Sequence, residues 1–207
     1  MWYSLVIAFL LSYLLGNLNG AVCVSSMMHD DVRSHGSGNA GLTNFIRNYG
    51  AGRALYVILI DAGKAVLSCL TAGLILSPYG YALEGMTLGG AAVMLGHVYP
   101  ALLGFKGGKG ILSGLFIAVT VDWRIAVLIL IVFAVAYFAT KYVSLGSVLA
   151  ALAFGIGFIV LHHDNVWVML GGVFMSLLTI FMHRSNIVRL LKGQERKTDL
   201  FSKGKQA

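Results

Sequence analysis

Two lysines stand among closely spaced glycines in one run of this chain, from Gly96 to Gly110, and such a run is suited to binding an anion. Glycines let backbone N–H groups converge on an anion, and lysines add point charges. The run therefore predicts a cradle for a phosphate or an oxyanion. It is not a Walker P-loop, because Leu103 stands where that pattern needs glycine and Gly110 where it needs Ser or Thr. The alternative is close helix packing by the glycines, with lysines that mark a cytoplasmic loop.

The most polar stretch of the chain, residues 30–47, is the second candidate for a site. Small hydroxyl, amide and glycine residues alternate there with two arginines. This composition suits hydrogen bonding to a polar, anionic ligand. A solvated connector between two spans is the alternative. The letters Gly36-x-Gly38-x-x-Gly41 match a dinucleotide fingerprint, but no apolar strand precedes them, so this match is discounted.

Two further polar sets lie outside these stretches. Asp61 and Lys64 are three residues apart in an apolar segment, which places them on one face of a helix. An ion pair toward the interior is the first interpretation, and a link to an active site is the second. In the basic tail, His183, Asn186 and Arg189 would share a helix face if the last span continues. Attraction of the tail to anionic lipid headgroups is the alternative.

The elements that must position these residues are membrane helices. Of the 207 residues, 58% are hydrophobic and 11% are charged, and the mean hydropathy is +0.83. So few charges cannot cover a water-exposed surface, which excludes a soluble domain. Apolar runs predict spans near 3–24, 52–76, 83–104, 110–121, 123–140, 145–162 and 165–182. The fourth is too short to cross a bilayer unless the glycine turn before it is sunk into the protein.

The distribution of basic residues predicts the orientation. With the amino terminus outside, thirteen of the 15 lysines and arginines fall on the inner side, while Arg124 falls outside and Lys64 within a span. This bias follows the positive-inside rule and requires an odd number of spans. We therefore predict an all-α integral membrane protein with seven transmembrane helices and a cytoplasmic carboxyl terminus. Residues 1–207 would form one membrane domain with a polar cytoplasmic tail at about 183–207.

Three stretches on one predicted membrane face resemble the bacterial acyl-phosphate:glycerol-3-phosphate acyltransferase family (PlsY type). They are Arg33 followed by Gly36-Ser37-Gly38-Asn39-x-Gly41-x-Thr43-Asn44-x-x-Arg47, then Gly96-His97-x-x-Pro100 through Phe105-x-Gly107-Gly108-Lys109-Gly110, then Asn186-Ile187-x-Arg189-Leu190-x-x-Gly193-x-Glu195. The serine turn Val143-Ser144-Leu145-x-Ser147 and the pair Asp61-x-x-Lys64 match as well. The chain departs from the family at Gly16-Asn17-Leu18-Asn19-Gly20, where Gly-Ser-x-Pro is usual, and at Ala65, where glycine is usual. These departures leave the acyl-chain and acceptor preference open.

The resemblance implies a seven-span enzyme of the bacterial inner (cytoplasmic) membrane whose site faces the cytoplasm. Its reaction would transfer a fatty acyl group from acyl phosphate to the 1-hydroxyl of glycerol 3-phosphate, giving lysophosphatidic acid and phosphate. Acyl phosphate is already activated, so no metal, cofactor or covalent enzyme intermediate is expected. The expected partners are the two substrates and the lipid bilayer, without nucleic acid, and the expected state is a monomer.

The resemblance also assigns residues to roles. The catalytic set would be Ser37, Asn39, Thr43, Arg47, His97, Lys109, Ser144 and His183. The substrate- and phosphate-binding set would be Arg33, Gly36, Gly38, Asn44, Lys106, Gly107, Gly108, Gly110, Asn186, Arg189 and Glu195. Backbone N–H groups from Gly107 to Gly110 would stabilise negative charge. His97 and His183 have the chemistry of a general base. The resemblance, however, implies no secure side-chain base and offers the acceptor's own phosphate as the proton acceptor, and a structural or substrate-binding role for His97 is favoured.

Three other function classes are alternatives to this interpretation. A small anion transporter would also carry intramembrane charges and glycine-broken spans, but it would expose polar groups to both faces, whereas here they crowd one face. An acyltransferase of the His-x4-Asp type is excluded, because no histidine of this chain is followed by Asp five residues later. An acyltransferase of the same fold with another polar acceptor stays open.

Overall fold

The computed structural model describes residues 1–198, and their regular structure is entirely helical. The α-helices in this part of the chain are α1 (Trp2–Gly16), α2 (Gly20–Ser26), α3 (Leu42–Tyr49), α4 (Ala51–Leu76), α5 (Ala82–Val98), α6 (Ile111–Val121), α7 (Trp123–Thr140), α8 (Val143–Leu161), α9 (Val166–Met182) and α10 (Arg184–Leu191). Short 3₁₀ turns lie at Val32–Ser34, Ser77–Tyr79 and Ala101–Leu103. The predicted all-α class is confirmed.

Several of these helices are suited to crossing a membrane. Among the described residues, α4, α5, α7 and α8 are long and apolar enough to do so, and two bent pairs raise the number to six. The pairs are α1 with α2, bent by 44°, and α9 with α10, bent by 56°. Helix α6 is apolar but has only 11 residues, a rise of about 17 Å against a hydrocarbon core of about 30 Å. The short helix predicted after the glycine-rich run is therefore present, whereas a count of seven spans stays a prediction.

The first predicted span is interrupted. Helix α1 ends at Gly16 and α2 begins at Gly20, with Asn19 as its N-cap, whose side chain accepts a hydrogen bond from the N–H of Val22 at 3.1 Å. Backbone groups freed at such a break need partners inside a membrane protein. Lys64 of α4 donates to the carbonyl oxygen of Leu18 at 2.6 Å. The break cannot be predicted from the sequence around it, because Lys64 lies 46 residues from Leu18.

The described residues form two compact units, residues 1–117 and residues 118–198. In the first unit, small residues bring α5 against α4 and α1. A Cβ at Gly85 of α5 would lie 2.5 Å from the carbonyl oxygen of Ala72 of α4, and one at Gly96 would overlap the carbonyl oxygen of Tyr13 of α1. Close approach of this kind is the usual role of glycine between membrane helices. It fixes the end of α5, from which the glycine-rich run departs.

In the second unit, α8 packs between α7 and α9. Phe158 of α8 is fully buried, and any side chain at Gly172 of α9 would overlap its ring. Ser176 of α9 donates to the carbonyl oxygen of Ala151 at 2.7 Å. Asp122, the N-cap of α7, pairs with His162 at the end of α8 at 3.1 Å. The structure thus divides the described residues into two compact units. That they form a single membrane domain stays a prediction.

Candidate active site

The polar loop before α3 is organised by one buried side chain, Asn44. Its exposed fraction is 3%, and its Nδ2 donates to the carbonyl oxygens of Val32, His35 and Asn39 at 3.0, 3.1 and 3.0 Å. Its Oδ1 accepts the N–H of Ser37 at 3.0 Å. Asn44 therefore shapes the loop that carries Ser37 and Asn39. Both the donor and the acceptor of its amide are occupied by protein atoms.

Two glycines of this loop are required by backbone geometry. Gly36 and Gly38 have φ values of 58° and 69°, a region that residues with a side chain rarely adopt. A Cβ at Gly36 would also lie 2.5 Å from Oδ1 of Asn44. Both glycines belong to the predicted binding set, and the structure shows that the turn of the loop requires them. Ser37, between them, is exposed.

Helix α3 begins within the polar stretch that the sequence marks as the second candidate for a site. It buries Phe45 completely in a cluster with Val24, Val32 and Val57. Thr43 and Arg47, four residues apart, lie on another part of the same helix surface. Arg47 is exposed and Thr43 is half-buried. A short amphipathic helix therefore presents both residues of the predicted catalytic set.

Arg33 joins the polar loop to the glycine-rich run. Its Nη2 and Nε donate to the carboxylate of Asp31 at 2.8 and 3.0 Å. Its Nη1 donates to the carbonyl oxygens of Leu103 at 3.1 Å and of Lys106 at 3.5 Å. The hydrogen bonds from Arg33 hold the pKa of the Asp31 carboxyl below its usual range. The predicted contact of Arg33 with phosphate stays a prediction, and the structure adds a role in tying the two segments together.

The glycine-rich run folds back on the end of α5. The N–H of Gly108 donates to the carbonyl oxygen of His97 at 3.0 Å. A Cβ at Gly107 would overlap this carbonyl oxygen, and one at Gly108 would overlap the His97 imidazole. Earlier in the run, the N–H of Leu102 donates to Oδ1 of Asn17 at 3.0 Å. The prediction that backbone N–H groups from Gly107 to Gly110 bind negative charge is therefore wrong for Gly108, whose N–H is already hydrogen-bonded.

The cations and the last glycine of the run differ in exposure. Lys106 is exposed and Lys109 is half-buried. Gly110 has a φ of 86° and leads directly into α6. Its carbonyl oxygen accepts the N–H of Gly114 at 2.7 Å. The run thus ends in a defined turn that places Lys109 two residues before the start of α6.

His97 is buried in a polar cluster with Asp61 and Lys64. Its Nδ1 lies 2.8 Å from Nζ of Lys64 and 3.7 Å from Oδ1 of Asp61. Lys64 and Asp61 form an ion pair at 2.8 Å, with both side chains 2% exposed. The interior ion pair predicted from their spacing is confirmed. The predicted site left out Asp61 and Lys64, although two charges in an apolar span were a signal for them.

In the second unit, the tail residues converge on Glu195. Asn186 donates to Oε1 at 2.9 Å and Arg189 to Oε2 at 2.6 Å. Burial acts to raise the pKa of Glu195, but these hydrogen bonds outweigh it and hold the pKa below its usual range. Ser144, also in the predicted catalytic set, is buried in the first turn of α8.

The last span does not continue straight into the tail. Helix α9 ends at Met182, and α10 starts at Arg184 after a bend of 56°. His183 sits in the bend, with Nδ1 2.8 Å from the carbonyl oxygen of Thr179. The common face of His183, Asn186 and Arg189 was predicted on the condition that the last span continues, and the bend means that this condition is not met. Asn186 and Arg189 are three residues apart on α10 and share Glu195 as a hydrogen-bond partner.

The polar loop and the glycine-rich run carry cations, hydroxyls and amides, the side-chain types that can bind an anionic ligand. Within residues 1–198, no group of three or more His, Cys, Asp or Glu side chains is placed to hold a metal ion. The cysteines Cys23 and Cys69 are both free thiols.

Comparison with known proteins identifies the family. Residues 6–193 match the family model described as glycerol-3-phosphate acyltransferase. The glycerol-3-phosphate acyltransferase of Finegoldia magna is 34% identical over 194 residues, which cover 93% of this chain and 96% of that protein. That of Shouchella clausii is 36% identical over 202 residues, covering 95% and 97%.

Solved structures agree with this match. A crystal structure of PlsY (YgiH), an integral membrane glycerol 3-phosphate acyltransferase in its glycerol 3-phosphate form, superposes with a TM-score of 0.85 at 30% identity, covering 96% of this chain and 100% of that chain. The lysophosphatidic acid form gives a TM-score of 0.82 at 30% identity, covering 95% and 96%. On the extent of these matches, the chain belongs to the glycerol-3-phosphate acyltransferase family.

Proposed function

We propose that this protein transfers a fatty acyl group from acyl phosphate to the 1-hydroxyl of glycerol 3-phosphate, giving lysophosphatidic acid and inorganic phosphate. Family membership supports acyl transfer to glycerol 3-phosphate. The observation that carries the phosphate chemistry is the link made by Arg33 between the polar loop and the glycine-rich run. It joins the segments that carry Arg47, Lys106 and Lys109, and two phosphate-bearing substrates need several cations.

Because acyl phosphate is already activated, the site mainly has to position the two substrates. The 1-hydroxyl oxygen attacks the acyl carbonyl carbon, the bond from that carbon to the phosphate oxygen breaks, and the electron pair leaves with phosphate. The hydroxyl proton passes to a phosphate oxygen. Lys109 and Arg47 stabilise the negative charge that develops, while Ser37, Asn39 and Thr43 orient the substrates by hydrogen bonding. His97 supports the loop from its buried position and does not act as the base.

In the second unit, Ser144 and His183 belong to the proposed catalytic set, and Asn186, Arg189 and Glu195 belong to the proposed substrate-binding set. Glu195 fixes the direction of Asn186 and Arg189 through two short hydrogen bonds. A cation held in one orientation by a carboxylate binds phosphate with less loss of side-chain entropy than a mobile one. Arg189 is 40% exposed in its side chain and so stays accessible to an anion.

The membrane arrangement is part of the proposal. The chain crosses the inner membrane of a bacterium seven times, with the amino terminus outside, the carboxyl terminus and the site in the cytoplasm, and the protein as a monomer. The one-sided distribution of lysine and arginine supports this orientation. Single cysteines at Ser34 and Asp164, introduced after replacement of Cys23 and Cys69, test it with a membrane-impermeant maleimide on intact spheroplasts. Labelling at position 34 rather than 164 would contradict the orientation.

The donor is tested by direct comparison. Purified protein in lipid nanodiscs is supplied with glycerol 3-phosphate and either palmitoyl phosphate or palmitoyl-CoA, and lysophosphatidic acid is measured. We expect product from palmitoyl phosphate with one phosphate released per product, and none from palmitoyl-CoA. Product from palmitoyl-CoA alone would overturn the proposed donor. Turnover with another polyol but not with glycerol 3-phosphate would move the proposal to a different acceptor.

A further inference from the structure

One buried ammonium group holds the break between α1 and α2. Nζ of Lys64 lies 2.6 Å from the carbonyl oxygen of Leu18, 2.8 Å from Oδ1 of Asp61 and 2.8 Å from Nδ1 of His97. An ammonium has three hydrogens to donate, which suffice for these three short contacts, and the carbonyl oxygen of Gly16, at the end of α1, lies farther from Nζ at 3.4 Å. The same Oδ1 of Asp61 accepts the N–H of Gly20, the first residue of α2, at 3.1 Å. The pair therefore connects α4, the break and the end of α5.

Both loops of the candidate site are attached to residues beside this group. Asn17 and Asn19 flank Leu18 in the sequence. Asn17 accepts the N–H of Leu102, in the glycine-rich run, at 3.0 Å. Asn19 donates to the carbonyl oxygen of Ala40, in the polar loop, at 3.0 Å. Movement of the break would therefore displace the polar loop and the glycine-rich run together.

The ammonium also sets the hydrogen position on His97. A lysine ammonium only donates, so Nδ1 of His97 accepts and the ring carries its hydrogen on Nε2. Nε2 is the ring atom that faces Gly108, where a Cβ would overlap it. Without the ammonium, the nearest remaining partner of Nδ1 is the carboxylate of Asp61 at 3.7 Å. A carboxylate accepts hydrogen bonds, so the hydrogen would then move to Nδ1.

We propose that Lys64, oriented by Asp61, is a positioning residue of the acyltransferase site. It fixes the α1–α2 break and the His97 imidazole, and through them it sets the geometry of the polar loop and the glycine-rich run. Neither Lys64 nor Asp61 contacts substrate in this account, because both side chains are 2% exposed. The inference rests on the proposed function and adds a residue pair that governs substrate affinity from outside the binding surface.

The first test measures the hydrogen position on the His97 ring. Full-length protein labelled with ¹⁵N in its histidine rings is reconstituted in lipid, and the His97 signals are assigned by comparison with His97→Gln. We expect the Nε2–H form in the wild-type protein and a shift to the Nδ1–H form in Lys64→Met. Asp122→Asn is the matched control, since Asp122 is also a buried carboxylate paired with a histidine, and it should leave the His97 signals unchanged. The wild-type ring form in Lys64→Met would overturn the proposal.

The second test is kinetic. In Lys64→Met we expect the KM for glycerol 3-phosphate to rise on the order of tenfold, with a smaller change in kcat, because the binding loops lose their preorganisation. Lys64→Gln, which keeps a hydrogen-bond donor, should recover part of this loss. Asp122→Asn should keep the wild-type KM. A KM and kcat in folded Lys64→Met equal to those of the wild type would overturn the positioning role.

If Lys64→Met fails to fold, a double variant still tests the proposal. That variant leaves Asp61 as a buried, unpaired charge, whereas the double variant Asp61→Asn/Lys64→Met is neutral at both positions. The double variant should fold and show the same rise in KM, and a wild-type KM in it would contradict the proposal. If the wild-type protein itself gave no turnover with glycerol 3-phosphate, the proposed function would fail, while the ring-nitrogen measurement would still decide whether Lys64 sets the His97 imidazole.

Discussion

Arg33 donates from Nη1 to the carbonyl oxygen of Leu103 at 3.1 Å, across 70 residues of sequence. The bidentate pair of the same guanidinium with Asp31 fixes its direction. The polar loop and the glycine-rich run, which carry most of the predicted site residues, are therefore held together by a side chain that was itself predicted to bind phosphate.

Substitution Arg33→Lys tests this link. Lysine has a single ammonium, which cannot pair in bidentate fashion with Asp31 and also reach Leu103. We expect kcat/KM for glycerol 3-phosphate to fall by about 10- to 100-fold. Arg53→Lys is the control, since Arg53 is exposed in the first turn of α4, and it should keep wild-type activity. Equal activity of the two variants would contradict the role of Arg33 in holding the polar loop against the glycine-rich run.

Substitution Asn44→Ala tests the organisation of the polar loop. It removes the donor to three backbone carbonyl oxygens and the oxygen that accepts the N–H of Ser37 and Nδ2 of Asn48. We expect a loss of about 1–3 kcal/mol in the free energy of unfolding for buried polar groups left unpaired, seen as a lower Tm in detergent. Gln194→Ala, which removes a side-chain amide at an exposed position of the tail, should change Tm much less. Comparable losses in both variants would show that Asn44 has no special role.

Substitution Gly108→Ala tests the fit of the glycine-rich run against α5. The added Cβ would overlap the His97 imidazole, so the run must move away from the end of α5. We expect a fall in kcat/KM on the order of 100-fold, with the protein still folded. Gly63→Ala adds the same atom within α4, where nothing lies within 4 Å, and should retain activity. Retained activity in Gly108→Ala would contradict the observed fit.

The carboxylate of Glu195 predicts an acid sensitivity in the tail. Its pKa is lowered in the folded protein, so it contributes stability that is present above the ordinary carboxyl pKa of about 4.3. That stability is lost as the pH falls through the lowered value. Hydrogen exchange of α10 measured across this range should show protection falling with acid in the wild-type protein. In Glu195→Gln the protection should be lower at neutral pH and nearly independent of pH, and an unchanged acid response there would assign it to another group.

Much of the helical framework followed from hydropathy alone. The predicted segment 123–140 coincides with α7, and 52–76 differs from α4 by one residue. Long apolar runs bounded by charges or glycines leave few alternatives. The break at Asn17, Leu18 and Asn19 was not predicted, because its backbone groups are satisfied by Lys64 and Asp61 from another helix.

The sequence predicted which residues would carry the candidate site, but not which atoms those residues contact. Gly36, Gly107 and Gly108 were expected to serve the ligand, yet the space around them is filled by Asn44 and His97. Helix α3 was missed because its eight residues are too few and too polar to give a span signal. Which polar atoms remain for substrate depends on which ones the fold has already used, and only tertiary structure supplies that information.

We propose that Lys109, in the glycine-rich run, serves acyl transfer to glycerol 3-phosphate. The most direct measurement follows phosphate release and lysophosphatidic acid formation from palmitoyl phosphate by purified protein in lipid, with and without glycerol 3-phosphate. It compares the wild type, Lys109→Met and Lys192→Met, the last being an exposed tail lysine outside the proposed site. Acceptor-dependent release of phosphate that is lost in Lys109→Met and kept in Lys192→Met is the predicted result. Acceptor-dependent turnover that persists in Lys109→Met, or its absence from folded wild-type protein, would contradict the account.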